Sequence, residues 1–192
     1  MERVNIILGR FQPFTLGHLK CAQEAHKKLG VKTVLMVIET NNQDDKHPFL
    51  TSQISKILDK MCKVEPTLEG YVLVKNADIV KNIEILRNAG YEPVSWTCGT
   101  DRFASYNRMV RDYGERIGLD PKFETIEVKR GDEDISATEV RNALKNDDEA
   151  TYQKLVPDTW KKEFKYLRDI ILSVEESMRP LSEYIQEAFH MM

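Results

Sequence analysis

Arg10 and His18 are the residues near the start of the chain that are best suited to chemistry. Gly9 precedes Arg10 at the end of an apolar segment over residues 4–8, and His18 opens a segment with helical spacing of apolar residues. Glycine lets a backbone approach a ligand closely, while the free N–H groups and the dipole of a helix N-terminus attract anions. A strand, a turn with an arginine and a helix that begins near a histidine therefore predict a nucleotide triphosphate site.

A second candidate anion site lies about a hundred residues later in the chain. Ser136 and Glu139 have the spacing of a capping box, which predicts a helix N-terminus. Ser136 and Thr138 could be there only to start that helix. Arg141 lies close to the same end, however, and a guanidinium beside free N–H groups suits terminal phosphates. Together with the first cluster, this favours a phosphate site.

The two clusters together resemble the signatures of the nucleotidylyltransferases. Residues 15–18, TLGH, resemble the (H/T)xGH signature, and residues 135–141, ISATEVR, resemble the ISxTxxR signature. The segment GRFQP at residues 9–13 is most similar to that of nicotinamide-mononucleotide adenylyltransferases. Two signatures in the right order are far more specific than one, so the chain is identified as a member of this superfamily over roughly residues 3–144.

The resemblance implies that an acceptor phosphate oxygen attacks the α-phosphorus of ATP or CTP and releases pyrophosphate. His18 and Thr15 would be catalytic donors near the α-phosphate, and Arg141 would hold the polyphosphate together with Arg10. Mg²⁺ is the implied cofactor, with phosphate and water as most of its ligands and no metal-binding residue predicted in the chain. The other residues expected to contact the nucleotide are Gly9, Phe11, Gln12, Gly17, Lys46, Gly99, Asp101, Ser136 and Thr138.

Lys46 and Asp101 belong to two further segments that are similar to relatives. Residues 46–51, KHPFLT, are similar to the K/R-x-P-F-T segment of the adenylyltransferases, although Leu50 interrupts it, and Lys46 would either contact phosphate or be solvated. Gly99 and Asp101 form a Gly-x-Asp turn like the one with which relatives approach the nucleoside. A tight turn in which Asp101 caps the next helix is the interpretation that needs no ligand.

The elements predicted around these residues alternate between strand and helix. The near-continuous apolar residues at 31–38 indicate a parallel strand that is covered on both faces. Further strands are predicted at residues 71–74, 94–98 and 123–128, and further helices at 51–61, 78–88 and 103–116. This alternation predicts an α/β fold, a Rossmann-like parallel five-stranded sheet with helices on both faces. The first motif would lie at the carboxyl edge, where open sheets bind ligands.

The composition is that of an ordinary globular protein. The 192 residues are 41% hydrophobic and 31% charged, with a net charge of −3, so neither nucleic acid nor an anionic membrane is an expected partner. No apolar run approaches the ~20 residues of a membrane span, and a cytoplasmic location is expected. Cys21, Cys62 and Cys98 show no metal or pairing pattern, which predicts free, mostly buried thiols.

The predicted division of the chain lies near residue 144. Residues 1–144 would form the nucleotidylyltransferase domain, and residues 145–192 a helical C-terminal extension. Apolar residues recur there at helical spacing, and Pro180 separates them from a last helix at 181–190. Such a stripe packs on its own domain or on a second subunit, which leaves a homo-oligomer open.

The sequence leaves the acceptor open. The GRFQP segment favours nicotinamide mononucleotide as the acceptor, with NAD and pyrophosphate as products. A threonine like Thr15, however, is also found at this motif position in phosphopantetheine adenylyltransferases. Cytidylyl or adenylyl transfer to a sugar, polyol or pantetheine phosphate is the alternative within the class. A nucleotide-binding regulatory module without turnover is the alternative of another class, and the presence of both His18 and Arg141 argues against it.

Overall fold

The computed structural model describes residues 1–129 and 135–180 of the chain. The strands in these ranges are β1 (Glu2–Gly9), β2 (Lys32–Ile38), β3 (Leu68–Val74), β4 (Tyr91–Gly99) and β5 (Glu124–Val128). The helices are α1 (Leu16–Leu29), α2 (Thr51–Val64), α3 (Ile79–Asn88), α4 (Thr100–Tyr113), α5 (Ala137–Lys145), α6 (Glu149–Leu155), α7 (Asp158–Lys161) and α8 (Phe164–Met178). The last helix predicted from the sequence, residues 181–190, lies outside the described residues.

The five strands form one parallel sheet in the order β3-β2-β1-β4-β5. The first strand is therefore central, with β2 and β3 on one side and β4 and β5 on the other. Crossovers on the two sides of β1 diverge, and this leaves a crevice at the carboxyl ends of β1 and β4. The predicted Rossmann-like α/β sheet is confirmed, and its topology points to the end of β1 as the place for a ligand.

Helices cover both faces of the sheet. On one face, Ile7 packs in a cluster with residues of α1, α2 and α5, while on the other Val4 and Ile6 pack with residues of α3. This is the alternation expected of a strand that is buried on both faces. β2 is also covered on both faces, and this explains why its middle is an unbroken apolar run.

Three strands begin earlier than their apolar patterns predict. β1, β3 and β4 start at Glu2, Leu68 and Tyr91, each two or three residues before the predicted first residue. The added residues lie at the amino edge of the sheet and include charged side chains, so burial periodicity detects only the middle of each strand. Helix α4 also begins earlier, at Thr100 instead of residue 103, which makes Asp101 part of its first turn.

A buried polar network joins the three central strands. The Asn5 side chain, which is fully buried in β1, donates from Nδ2 to Thr33 Oγ1 of β2 at 3.0 Å. Its Oδ1 accepts hydrogen bonds from the hydroxyl groups of Ser95 and Thr97 of β4, each at 2.8 Å. Since buried polar groups are costly when unpaired, this one amide fixes β1 between its neighbours.

Replacing Asn5 by alanine should therefore destabilise the fold. The change leaves three buried hydroxyl groups without their partner, and we expect the free energy of unfolding to fall by about 3 kcal/mol. Urea unfolding followed by far-UV circular dichroism measures the loss. The control is Asn107→Ala at an exposed position of α4, which should change stability by no more than about 0.5 kcal/mol. Equal stabilities of the two variants would contradict the structural role of the network.

The helices of the C-terminal extension pack on the sheet domain of the same chain. Tyr152 and Trp160 are fully buried and belong to the same apolar cluster as Ile7 of β1. Tyr152 Oη donates to the Trp160 carbonyl at 2.6 Å, and Trp160 Nε1 lies 3.3 Å from the Met61 sulfur of α2. The core is continuous across residue 144, and the division into two domains stays a prediction.

Within the described ranges, no helix is both long and apolar enough to cross a membrane.

Candidate active site

A large cavity opens where the topology places it, at the carboxyl ends of β1 and β4. Its volume is about 1030 Å³. The turn between β1 and α1 forms one wall, the start of α4 a second and the start of α5 a third. Both sequence signatures therefore reach the same cavity.

The rings of Phe11 and Phe14 pack against the His18 side chain. The ring centroids of Phe11 and Phe14 lie 5.1 and 5.2 Å from that of His18, and both phenylalanines are buried. Phe11 has φ of 52°, a left-handed conformation that is uncommon for a residue other than glycine, and its ring folds back over Gly9. A Cβ on Gly9 would lie 3.2 Å from Phe11 Cε1. The glycine thus makes room for the phenylalanine that supports the imidazole.

Thr15 holds His18 by capping α1. The Thr15 hydroxyl accepts a hydrogen bond from the His18 backbone N–H at 3.4 Å, and the Thr15 backbone N–H donates to His18 Nδ1 at 3.0 Å. A backbone N–H can only donate, so Nδ1 is the acceptor and the neutral imidazole carries its proton on Nε2. His18 is therefore a hydrogen-bond donor whose tautomer is set by the helix cap.

The two signatures are in contact at Gly17. A Cβ built on Gly17 would lie 3.2 Å from the Ile135 carbonyl oxygen and 3.4 Å from Thr15 Oγ1. A side chain at this position would be crowded against the segment before α5. The glycine of the first signature thus favours the close approach of the second.

Arg141 joins α5 to the first motif. Its Nη1 donates to the Gln12 carbonyl oxygen at 2.7 Å, and its Nη2 donates to Thr138 Oγ1 at 3.2 Å. These bonds use two of the five N–H donors of the guanidinium, which also lines the cavity. Burial lowers the pKa of Arg141, but an arginine remains charged at neutral pH. The cavity therefore contains a fixed positive charge on the wall that α5 forms.

Arg10 and Gln12 hold the segment that follows β2. Arg10 Nη1 donates to the Glu39 carbonyl oxygen at 2.9 Å. The Gln12 amide donates to the Phe49 carbonyl oxygen at 2.7 Å and accepts from the Phe49 N–H at 2.9 Å. Gln12, which is buried, therefore uses its side chain to position the chain that carries Lys46, although its role as a nucleotide contact stays a prediction.

The cavity brings together all the predicted site residues except Phe11 and Ser136. Phe11 is buried beneath the cavity, and Ser136 caps α5 by accepting a hydrogen bond from the Glu139 N–H at 3.2 Å. Those that line it are Gly9, Arg10, Gln12, Thr15, Gly17, His18, Lys46, Gly99, Asp101, Thr138 and Arg141. Their roles toward a ligand remain predictions, and most of them lie at or near the strand ends and helix starts of this edge.

Several lining residues were not predicted as site residues. Tyr106 of α4 lies in the wall with its ring stacked on that of the buried Trp96, at a centroid distance of 3.9 Å. Ile38 and Thr97 lie at or near the ends of β2 and β4. For Ile38 and Thr97, the signal in the sequence was their place at or near strand ends, since residues there border the carboxyl edge of a parallel sheet.

Residues 6–143 match the family model described as cytidylyltransferase-like. The chain belongs to the cytidylyltransferase-like family. The match spans both signatures and well over half of the chain, and it confirms the prediction of a nucleotidyltransferase. No curated protein matches the sequence significantly.

Two adenylyltransferases of known structure share the fold of this cytidylyltransferase-like chain. Nicotinic acid mononucleotide adenylyltransferase of Plasmodium falciparum, complexed with NaAD or with APC, is 15% identical, with TM-scores of 0.57 and 0.56 over 88% of this chain and 98% of that one. A bifunctional NMN adenylyltransferase/ADP ribose pyrophosphatase of Francisella tularensis, complexed with AMP and an Mn ion, is 18% identical with a TM-score of 0.59. The alignment covers 100% of this chain and 56% of the Francisella protein.

The Cys98 thiol in the cavity of this cytidylyltransferase-like protein does not provide a nucleophile. Cys21 of α1 and Cys98 of β4 line the cavity, and both are free cysteines. Burial raises the pKa of the Cys98 thiol to about 12, so it is protonated at neutral pH. Only the thiolate is strongly nucleophilic. The chemistry of the site is therefore left to its hydrogen-bond donors and charges.

No group of three or more His, Cys, Asp or Glu side chains is arranged to hold a metal ion in residues 1–129 and 135–180 of this cytidylyltransferase-like chain. Asp101 lines the cavity in the first turn of α4. Mg²⁺ keeps several waters and is usually bound by one or two carboxylates together with phosphate oxygens of the substrate. These residues therefore fit an ion that arrives with a triphosphate.

Proposed function

We propose that this protein is an adenylyltransferase that transfers AMP from ATP to a phosphorylated acceptor, nicotinamide mononucleotide, giving NAD and pyrophosphate. The observation that carries the proposal is that both signatures line one cavity, where Arg141 of the second donates to the Gln12 carbonyl oxygen beside the first. The GRFQP segment and the fold shared with two mononucleotide adenylyltransferases support the choice of ATP and of this acceptor.

The proposed reaction needs positioning and charge neutralisation more than it needs a base. The acceptor phosphate is already an anion, so it attacks the α-phosphorus without losing a proton, and pyrophosphate leaves on the opposite side. His18 donates from Nε2 to an α-phosphate oxygen as negative charge grows on it. Arg10 and Arg141 hold the polyphosphate from two sides of the cavity, and Lys46 contacts it from the loop after β2. The fixed tautomer of His18 matters because it places a proton donor there before the substrate arrives.

Mg²⁺ enters this scheme as part of the nucleotide substrate. It would neutralise charge on the polyphosphate and so make pyrophosphate a better leaving group. The protein supplies the surrounding donors: the N–H groups at the start of α5 and the arginines. Asp101 would complete the shell of the ion through water or contact the nucleoside, as the Gly-x-Asp similarity implies.

Pyrophosphate release with a matrix of substrates tests the proposal. The protein is incubated with Mg²⁺, with ATP or CTP, and with nicotinamide mononucleotide or a sugar, polyol or pantetheine phosphate. We expect release with ATP and nicotinamide mononucleotide, and NAD identified by its conversion with an alcohol dehydrogenase. Release only with CTP or only with another acceptor would replace the proposed substrates within the same class. No release with any pair, together with tight nucleotide binding, would make the protein a regulatory module.

Replacing Thr15 by valine tests the link between the cap and the catalytic donor. Valine keeps the shape of the side chain but lacks the hydroxyl that accepts the His18 N–H, while the backbone bond to Nδ1 remains. We expect the free energy of unfolding to fall by about 1 kcal/mol and kcat to fall by roughly tenfold, because the imidazole loses part of its support. Thr15→Ser keeps the hydroxyl and should stay within threefold of wild type. A valine variant as active as the serine variant would show that the hydroxyl is not needed.

A further inference from the structure

Lys145 stands one helical turn after Arg141 on α5, so both cations project from one face of the helix. Lys145 Nζ lies 2.6 Å from Asp45 Oδ1, in the segment that follows β2, and 2.7 Å from Glu175 Oε1 of α8. About a quarter of the lysine side chain is exposed. Lys145 therefore connects the C-terminal extension to the segment that carries Lys46.

Asp45 lies next to Lys46 and within the electrostatic field of Arg141. The hydrogen bond from Lys145 holds the pKa of Asp45 below its usual range, and the charge of Arg141 adds to this effect. The neighbouring Asp44 is fixed in a turn, since its Oδ1 accepts from the backbone N–H groups of Lys46 at 2.8 Å and His47 at 2.6 Å. The lysine that binds Asp45 thus lies one helical turn along α5 from the arginine that would bind phosphate.

We propose that Lys145 is a positioning residue that occupies Asp45 and so keeps this carboxylate from pairing with Arg141. The inference rests on the proposed function, in which Arg141 binds the triphosphate. Glu175 of α8 is the second carboxylate in contact with Lys145, and it lies on the C-terminal extension.

The chemistry of arginine explains why Asp45 must be occupied. A guanidinium and a carboxylate fit each other through two parallel hydrogen bonds, and Arg141 has donors beyond the two that bind Gln12 and Thr138. Without Lys145, Asp45 would exchange its partner for this guanidinium. A triphosphate would then have to displace an internal carboxylate from Arg141 before it could bind. Lys145 removes that competitor in advance and leaves the arginine available to the ligand.

Equilibrium binding of Mg²⁺-ATP and Mg²⁺-CTP, measured by isothermal titration calorimetry on the full chain, tests this inference. Lys145→Met should raise the Kd of the preferred triphosphate about tenfold, because Asp45 then pairs with Arg141. The double variant Asp45→Asn/Lys145→Met should return to within threefold of wild type, since the competing carboxylate is gone. Lys145→Arg keeps a cation that can bind Asp45 and should also stay within threefold.

Glu175→Gln is the matched control, because it removes the other carboxylate partner of Lys145 but does not release Asp45. It should leave the Kd within threefold of wild type. Circular dichroism melting shows whether each variant is folded, and Lys145→Gln serves as a second variant if the methionine variant is not. Rescue by Asp45→Asn is the decisive readout, since a lysine needed only for packing or for direct phosphate contact would not be rescued.

Three results would overturn the inference. An unchanged Kd in Lys145→Met would show that Asp45 does not compete. An equal loss of affinity in Lys145→Met and in the double variant would make Lys145 a direct ligand of the nucleotide. A loss of affinity in Glu175→Gln equal to that in Lys145→Met would show that Lys145 acts through helix packing. Wild-type protein that binds neither triphosphate would overturn the proposed function as well, whereas wild-type binding together with any of these three results overturns the inference alone.

Discussion

Replacing His18 by alanine is expected to lower kcat by about 10²–10³ while the protein stays folded. The imidazole is the proposed donor to the α-phosphate, and removal of one such donor typically costs this much in rate. It lies on the surface of Phe11 and Phe14 at the cavity wall, so its loss removes no element of the sheet. Steady-state pyrophosphate release at saturating Mg²⁺-ATP and acceptor measures the change, and far-UV circular dichroism checks the fold.

His26→Ala is the matched control for this variant. His26 lies in the last turn of the same helix, is exposed and is not among the residues that line the cavity. It should keep kcat within twofold of wild type, although it loses the contact between its Nδ1 and the Val31 carbonyl oxygen. If His18→Ala released pyrophosphate as fast as His26→Ala, the assignment of His18 as the catalytic donor would be wrong.

Replacing Trp160 by alanine should have the largest effect on stability. The ring is fully buried in the cluster that also contains Ile7 and Leu35 of the sheet, and its Nε1 contacts the Met61 sulfur. Truncation of a buried tryptophan leaves a large cavity, and we expect the free energy of unfolding to fall by about 3–5 kcal/mol. Urea unfolding followed by both circular dichroism and tryptophan fluorescence measures it.

Two further variants show whether the loss comes from this packing. Trp160→Phe keeps an aromatic ring in the core and should cost less than about 1.5 kcal/mol. Tyr113→Ala at the exposed end of α4 should change stability by no more than about 0.5 kcal/mol. All these proteins should unfold in one transition seen by both probes. A first transition that removes only the helices after residue 144 would instead show that the extension is a separate unit.

The parts of the site that follow from local chemistry could be predicted from the sequence. Ser136 and Glu139 have capping-box spacing, and the structure shows the reciprocal bonds of such a box at the start of α5. The helix that begins at the first signature was predicted from the helical spacing of its apolar residues, and the structure shows that Thr15 caps it. A cap depends on residues three positions apart, so its signal is contained in a few consecutive residues.

The parts that depend on distant residues could not be predicted. Gln12 was expected to contact nucleotide, but its amide binds the backbone of Phe49, 37 residues later in the chain. The ion pair of Lys145 with Asp45 joins residues a hundred positions apart. No periodicity or local motif encodes such pairs, because they arise only when the carboxyl edge of the sheet brings the loops together. The sequence therefore predicted which side chains reach the edge better than it predicted their partners.

The central place of β1 has a consequence for the growing chain on the ribosome. Synthesis delivers β1 first, and β2 and β3 are complete by Val74, whereas β4 ends only at Gly99. During this interval one side of β1 has no neighbour, and an unpaired strand of apolar residues is a template for pairing with other chains. Asn5 interrupts the apolar run of that strand with a well-hydrated amide. The pairing of β1 with β4, and with it the hydrogen bonds of Asn5 to Ser95 and Thr97, can therefore form only after most of the sheet has been synthesised.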